Sequence, residues 1–428
     1  MWLGENCLAL IYLRLLKALF NANMYYYKNK NRIKKHNKMK KITFKYLIWV
    51  LALLCCQPGW SSVPVYFAGL SYIGDAADMN AAAPFASSII NDSDKLAEYN
   101  KLLMSSVNKV PLDDISIVPG LGNTQSGNAL TIALAIVEEQ FQAEDTGDGY
   151  YAVKATTFGQ IVLFDFIDKK VVSTIPFITS YTDSPKKISA DYRRQIYKTV
   201  YFDQSKKINL INEFVAKLAD VNFQKPFDSW NIKVRNVLFT PFAEKKISQY
   251  GANPKTLDTR IANQFSAAMS KQLGIPVLPY SKGQAIGGAM AMRFENVEAL
   301  QLELPPANYY VDLTLLGFSK KIMKETANII IPSFIAGMRV SIGDVDFDEL
   351  VFSEKAQSGR VLKLSKKLKV NEWNEFKNSL TVLSDEFCMQ LTKPDKKWFK
   401  EKMFSKKSFK KFKKSTRELE KDIFDKLR

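Results

Sequence analysis

Short apolar runs divide the first half of the chain into predicted strands and one predicted helix. Each run is bounded by polar residues and contains β-branched or aromatic side chains, which is typical of buried strands. Residues 129–137 form an apolar segment, and the predicted strands are residues 63–68, 160–166 and 171–177. The last two are separated by Asp168, Lys169 and Lys170, so we expect them to form a β-hairpin. Residues 94–109 predict the helix.

The next part of the chain predicts two helices from apolar residues three and four positions apart. The first is expected over residues 208–218, and the second begins at Asn253 and Pro254, an N-cap residue followed by a first-turn proline. Gly274 is expected to end the second helix. The apolar stripes are Ile208, Ile211, Val215 and Leu218 in the first helix and Leu257, Ile261, Phe265 and Met269 in the second.

Strands dominate the prediction after this second helix. A short buried strand with prolines near its ends is expected at residues 275–279, and residues 298–304 alternate between apolar and polar side chains. The remaining predicted strands are residues 309–318, 329–342 and 347–352. We therefore predict an α+β fold class, built of mixed α/β layers.

The chain after Ser61 is long enough for two ordinary hydrophobic cores. Asp183, Ser184 and Pro185 mark a loop between the predicted β-hairpin and the next helix. We predict a first α/β domain over residues 62–183 and a second over residues 184–391, with more strands toward its end. A basic amphipathic tail over residues 392–428 completes the chain.

Residues 39–61 have the three parts of a secretory signal peptide. Basic residues follow Met39, residues 46–56 are uncharged and apolar, and a polar exit places Gly59 and Ser61 where small residues are required. The apolar stretch is much shorter than the roughly 20 residues of a spanning helix. We expect cleavage after Ser61. Residues 1–38 are predicted to be a mis-called start or a leader, with an organelle transit peptide as the alternative.

Removal of residues 1–61 restricts the chemistry of the mature protein. This segment contains His36, which is the single histidine of the chain, and three of its four cysteines. The mature protein then keeps only Cys388, so an intramolecular disulfide and zinc sites built on Cys and His are excluded. Ser-His-Asp and Cys-His catalysis are excluded for the same reason, which favours binding over catalysis.

Most of the formal charge of +18 lies at the two ends of the chain. Residues 1–61 contain eleven basic residues and one acidic residue, and residues 392–428 contain fifteen basic and six acidic residues. The intervening body carries 35 basic and 36 acidic residues. By composition this body is not a nucleic-acid-binding domain, and no nucleic-acid partner is expected.

Asp344, Asp346 and Asp348 are the carboxylates with the spacing best suited to a metal ion. Alternate residues project to one side of a strand, or fold inward in a loop, where they coordinate a hard cation. Their spacing resembles the start of a Ca²⁺ loop, but Glu349 and Lys355 stand where that loop needs glycine and glutamate. A strand with one solvated face explains the same alternation. Ca²⁺ is the only cofactor that the sequence suggests.

Other short motifs have simpler explanations than catalysis or nucleotide binding. The glycines at 120, 122 and 127 lack the spacing of a dinucleotide-binding loop, and Asp145-Thr146-Gly147 is surrounded by polar residues typical of a turn. Two Ser-x-x-Lys pairs lack the other elements of a Ser/Lys hydrolase. These pairs are Ser106 with Lys109 and Ser184 with Lys187.

The tail predicts a basic helix with one apolar stripe. On a helical projection Phe409, Phe412, Leu419, Ile423 and Leu427 fall near Trp398. Such a helix binds an anionic membrane interface through its aromatic and basic faces, or docks its stripe on the protein with the lysines solvated. The predicted membrane-surface residues are Trp398, Phe409, Phe412, Lys407, Lys410, Lys411 and Lys414.

We therefore expect an exported protein, periplasmic or envelope-associated, with a non-catalytic binding or structural role. Its partner would be an envelope protein or an anionic envelope surface, with peripheral membrane contact through the tail. Two alternatives remain open. One is a histidine-independent hydrolase that uses carboxylates or a Ser/Lys pair, and the other is a secreted effector that acts on another cell.

Overall fold

The computed structural model describes most of the chain after the predicted signal peptide. The described residues are 63–74, 78–112, 115–120, 130–219, 221, 223, 230–280, 288–294, 297–366, 368, 370–404 and 408–428. The leader and signal peptide predicted over residues 1–61 lie outside them, as does Lys407. Residues Ser62–Arg428 form one compact unit.

The fold is mixed α/β with two sheets. The strands are β1 Val63–Ile73, β2 Ile115–Pro119, β3 Leu130–Asp145, β4 Tyr151–Asp165, β5 Lys170–Asp183, β6 Ile232–Phe239, β7 Gly288–Phe294, β8 Val297–Leu304, β9 Tyr309–Glu325, β10 Ile329–Asp344, β11 Glu349–Val361 and β12 Leu364–Ser365. The helices are α1 Met79–Ala82, α2 Pro84–Ile90, α3 Ser93–Val107, α4 Ala190–Phe202, α5 Leu210–Leu218, α6 Pro241–Gln249, α7 Pro254–Leu273, α8 Glu372–Thr392, α9 Lys396–Lys402, α10 Phe409–Leu419 and α11 Asp425–Leu427, with a π-helical turn at Glu420–Phe424.

The first sheet has the strand order β2-β1-β3-β4-β5-β8-β7. β7 also pairs with β1, so β1, β3, β4, β5, β8 and β7 form a closed ring, with β2 beside β1. A small apolar cluster that includes Ala133, Phe164 and Met292 lies on one side of this sheet. β7 and β8 come after residue 184, so the sheet that contains the first predicted domain also takes strands from the second.

The second sheet has the order β11-β10-β9-β6, with β12 added beside β10. β9, β10 and β11 are long antiparallel strands, whereas β6 pairs in parallel with β9. One face of this sheet packs on α7, α8 and the tail in the largest apolar cluster of the described residues. A second large cluster joins α2 to α5 with the other face of the first sheet.

Local capping explains where many helices begin and end. Polar side chains accept a hydrogen bond from the backbone N–H three residues later and satisfy a donor that the helix leaves unpaired. These caps are Asp92, Ser189, Asn209, Thr240, Asn371, Asp395 and Ser408. α7 ends before Gly274, whose φ of +66° is readily adopted by glycine.

The predicted strand at residues 275–279 is instead an extended connection between the sheets. Val277 N–H donates to Thr174 of β5 at 3.0 Å, and Leu278 N–H donates to Ile232 of β6 at 2.9 Å. Only an isolated bridge forms at Leu278. The segment thus connects β5 of the first sheet with β6 of the second by backbone hydrogen bonds.

The apolar stripe of the tail packs on the second sheet and α8. Trp398 is 9% exposed, and Phe412, Leu419, Ile423 and Leu427 are at most 2% exposed. Phe412 lies 5.2 Å from Phe399 and 6.3 Å from Phe352, measured between ring centroids. The structure therefore has the docked arrangement of the tail, in which these side chains are part of the core and are not presented to a bilayer.

Across the described residues, none of the helices combines the length and apolar character needed to cross a membrane.

Candidate functional site

A cavity of about 60 Å³, lined by both polar and apolar side chains, lies between the first sheet and helices α7 and α8. This volume accommodates about four water molecules or one small oxyanion. The side chains that decide its chemistry are Gln140, Lys154, Thr156, Arg260, Gln264 and Lys377. They come from two strands and two helices.

A β-bulge in β3 directs polar residues toward this cavity. Before the bulge, Ile132, Leu134 and Ile136 face the apolar cluster under α2 to α5. The register of β3 against β4 shifts between Ile136 and Glu138. An extra residue in one strand reverses which alternate positions face each side, so Gln140 now faces the cavity.

The helices contribute pairs of residues four positions apart. Arg260 and Gln264 lie on one side of α7, and Lys377 and Thr381 lie on one side of α8. The apolar residues of α7, including Ile261 and Phe265, are buried beside them. Each helix thus presents a polar edge to the first sheet next to its apolar stripe.

Three buried N–H donors in this cavity have no hydrogen-bond partner in the described part of the chain. They are the Nε2 groups of Gln140 and Gln264 and the Nε group of Arg260. Gln264 is 8% exposed. A buried donor without an acceptor costs about 1–3 kcal/mol. Their convergence indicates a place for an acceptor-rich group.

Two lysines add positive charge to the same cavity. Burial, together with the nearby Arg260, lowers the pKa of Lys377 to about 8. Burial and the charge of Arg360 lower the pKa of Lys154. Neither amine forms an ion pair with a described carboxylate. A bound anion would favour the charged form of both.

The nearest carboxylates are already engaged by other side chains. Glu138 accepts a hydrogen bond from Arg260 Nη2 at 2.6 Å, and Glu144 accepts one from Asn374 at 3.0 Å. Glu375, whose pKa burial raises, pairs with Arg360 at 2.9 Å. The lysines and amide donors of the cavity therefore remain available to a ligand.

A buried carboxylate on the opposite side of β3 has a structural role. Glu139 accepts hydrogen bonds from the N–H groups of Phe85 at 2.8 Å and Ala86 at 2.9 Å, and from the Tyr201 hydroxyl at 2.6 Å. Ala83, the N-cap residue of α2, has no side chain that caps the helix. Glu139 supplies that cap from a neighbouring strand. Burial raises its pKa despite these bonds.

The predicted metal ligands lie in the turn between β10 and β11. Asp344 accepts hydrogen bonds from the N–H groups of Asp346 at 2.9 Å and Phe347 at 3.2 Å, which is a turn-forming role. Within the described ranges, no group of three or more His, Cys, Asp or Glu residues is arranged to hold a metal ion. Ca²⁺ at Asp344, Asp346 and Asp348 stays a prediction.

The predicted membrane-surface residues divide by side-chain type. Trp398 and Phe412 are buried, and Phe409 is partly buried against Phe399 at 5.6 Å between ring centroids. Lys410, Lys411 and Lys414 are exposed on α10. Among the described residues of this set, the three lysines are the exposed ones.

Among the residues that the structure describes, the other candidate motifs do not assemble a catalytic pair. The Ser106 hydroxyl donates to Leu102 and accepts from Gln204 at 3.0 Å, whereas Lys109 is exposed. Asp145 accepts a hydrogen bond from Gly147 N–H at 2.8 Å, as expected for a turn between β3 and β4. Ser184 and Lys187 are exposed in the loop before α4.

The cavity residues are absent from the sequence-based candidates. The available signal was the alternation of Glu138, Gln140, Gln142 and Glu144 after an apolar strand, with Lys154 and Thr156 on the next strand. Such alternation usually marks a solvated strand face. Only packing against α7 and α8 turns this face into an enclosed site.

Comparison with models of known protein families gives no match, and a search of curated proteins finds no detectably similar sequence.

Proposed function

We propose that this is an exported, non-catalytic binding protein and that its cavity holds a small anionic ligand, such as phosphate or a short carboxylate. The observation that supports this proposal is the convergence of three unpartnered N–H donors and two lysines in one cavity. Charged acceptors form the strongest hydrogen bonds with such donors.

The anion proposal is tested by calorimetry and thermal unfolding with phosphate, acetate and neutral glycerol. The anions are expected to bind and to raise the unfolding midpoint, because binding to the folded state alone stabilises it. Lys377→Met and Gln264→Leu should each weaken anion binding about tenfold through loss of one charged or buried hydrogen bond. Lys198→Met, at an exposed lysine of α4, is the matched control. Unchanged affinity in both cavity variants would contradict the proposal.

Anion affinity is also expected to depend on pH. The folded-state pKa of Lys377 is lowered to about 8 by burial and by Arg260. The amine is therefore mostly charged at pH 7 and mostly neutral at pH 9. Affinity should fall as pH rises through about 8, and binding near that pH should take up protons. Calorimetry in buffers of different ionisation enthalpy measures this uptake. Lys377→Met should abolish it; persistence in that variant would assign it to another group.

We further propose that the protein contacts an anionic surface of the cell envelope. In α10 the exposed Lys410, Lys411 and Lys414 support this contact. Because Phe412 is buried, the contact would be electrostatic and weakened by salt, without insertion of aromatic side chains. An envelope protein is the alternative partner.

The hydrolase alternative has less support in the described residues. The Ser106 hydroxyl hydrogen-bonds with Leu102 and Gln204, and Asp145 forms a turn. The secreted-effector alternative makes no different claim about the cavity. Vesicle and anion binding by the purified protein therefore do not distinguish this alternative from an envelope protein. Cell fractionation, which locates the protein, does.

A further inference from the structure

The second sheet has one face turned away from the core, and this outer face is rich in cations. Along β6, β9, β10 and β11, buried residues alternate with partly exposed ones. We call the following partly exposed residues the outer face: Lys233, Arg235, Asp312, Thr314, Arg339, Ser341, Ser353 and Lys355. They include four cations and one carboxylate.

Two of these cations stand directly opposite each other. In the antiparallel register, Arg339 of β10 pairs with Lys355 of β11 on one side and with Thr314 of β9 on the other. Directly opposite side chains on one face are about 5 Å apart at Cβ, and like charges there are destabilising. Neither Arg339 nor Lys355 forms an ion pair with a carboxylate in the part of the chain that the structure describes.

The other two cations lie near each other on edge strand β6. Arg235 Nε donates to Asp312 at 3.1 Å, and its guanidinium lies 3.4 Å from the centroid of the Tyr310 ring. Burial and the charge of Arg235 lower the pKa of Lys233. Asp312 also accepts from Asn236 at 3.0 Å, so the single carboxylate of the outer face is shared. Excess positive charge therefore remains on the outer face, contributed by β6, β10 and β11.

We propose that the outer face of the second sheet binds an anionic polysaccharide. A bound polyanion would offset the repulsion between Arg339 and Lys355, which the folded protein otherwise sustains. Thr314, Ser341 and Ser353 place hydroxyl groups between the cations, and the Ser341 and Ser353 hydroxyls lie 2.9 Å apart. Hydroxyl groups are suited to hydrogen bonds with sugars.

The same face favours a polysaccharide over a membrane or a nucleic acid. Tyr310 is 5% exposed beneath Arg235, so its ring does not offer a platform for stacking bases. Its burial also prevents insertion into lipid at this position. This inference concerns a surface separate from the cavity between α7, α8 and the first sheet, and it goes beyond the small-anion proposal.

The decisive variant is Lys355→Glu, which replaces the like-charge pair with an ion pair. The new carboxylate should raise the thermal midpoint by about 1 °C. It should also weaken binding to heparin at least tenfold at low salt, because two units of charge change at the site. Arg339→Gln tests the site without creating an ion pair and should also weaken binding. Lys101→Glu, at an exposed lysine of α3, has the same change in net charge and should bind as the unmodified protein does.

Heparin and polygalacturonate distinguish sulfate-bearing from carboxylate-bearing chains, and binding of either supports the inference. Duplex DNA or anionic vesicles that bind more tightly than both polysaccharides would overturn it, as would equal loss of heparin binding in Lys101→Glu. Phosphate binding in Lys355→Glu should be unchanged, because the cavity residues are untouched. Failure of heparin binding with phosphate binding intact therefore rejects this inference alone.

Discussion

Phe412→Ala is expected to lower the free energy of unfolding by about 4 kcal/mol, the usual cost of truncating a buried aromatic side chain. Phe412 is 0% exposed and contacts Phe352 and Phe399. The substitution removes apolar surface from the core and leaves a cavity that neighbouring rings fill only in part. Urea denaturation monitored by circular dichroism measures the change.

Lysines on the same helix provide the control for Phe412→Ala. Replacing Lys410, Lys411 and Lys414 with alanine should change stability by less than about 0.5 kcal/mol per site, because their side chains are exposed. The triple variant should weaken sedimentation with anionic vesicles at least tenfold, given about 1 kcal/mol for each lysine. A stable Phe412→Ala protein that no longer binds vesicles would show instead that the aromatic stripe engages lipid.

Glu139→Ala is expected to destabilise the protein by about 3 kcal/mol, because two backbone N–H groups and the Tyr201 hydroxyl lose their acceptor. The N–H groups belong to Phe85 and Ala86 in the first turn of α2, where no other side-chain cap is present. Caps alone contribute about 1 kcal/mol. Urea denaturation should show the loss of stability. Limited proteolysis should show greater protease sensitivity of α2.

Glu139→Gln separates hydrogen bonding from charge at this position. The amide keeps one acceptor oxygen but directs an N–H group toward a helix donor, so an intermediate loss is expected. Burial raises the folded-state pKa of Glu139. The contribution of Glu139 to the free energy of unfolding is therefore fully present at low pH and decreases as pH rises through that pKa. The stability difference between the unmodified protein and Glu139→Gln should shrink as pH rises above the ordinary range of a carboxyl group. A constant difference would mean that Glu139 does not change its ionisation in this range.

Local sequence was sufficient for many of the individual elements. The helix predicted from Asn253 to Gly274 is present as α7, because an N-cap residue, a first-turn proline and a terminal glycine act within a few residues. The predicted hairpin around Asp168 is formed by β4 and β5. Both strands extend beyond their predicted apolar runs, since pairing with neighbours supports polar residues as well.

Partners distant in sequence decided how these elements combine. β7 and β8 join the first sheet, where Lys170 pairs with Glu303 and Tyr72 pairs with Arg293. No local pattern specifies these pairings, because strands pair through backbone groups at their edges, and which edges meet depends on the packing of segments remote in sequence. The single compact unit after residue 61 results from such contacts.

The amino-acid sequence by itself determined the mixed α/β class, most elements and the amphipathic character of the tail, because these follow from periodicity and capping over a few residues. Tertiary structure alone decided that the tail stripe belongs to the core. It also decided that Gln140, Arg260 and Lys377 share a cavity and that Arg339 faces Lys355. These properties depend on register, on a bulge in β3 and on packing between remote segments, which place side chains together irrespective of their separation along the chain.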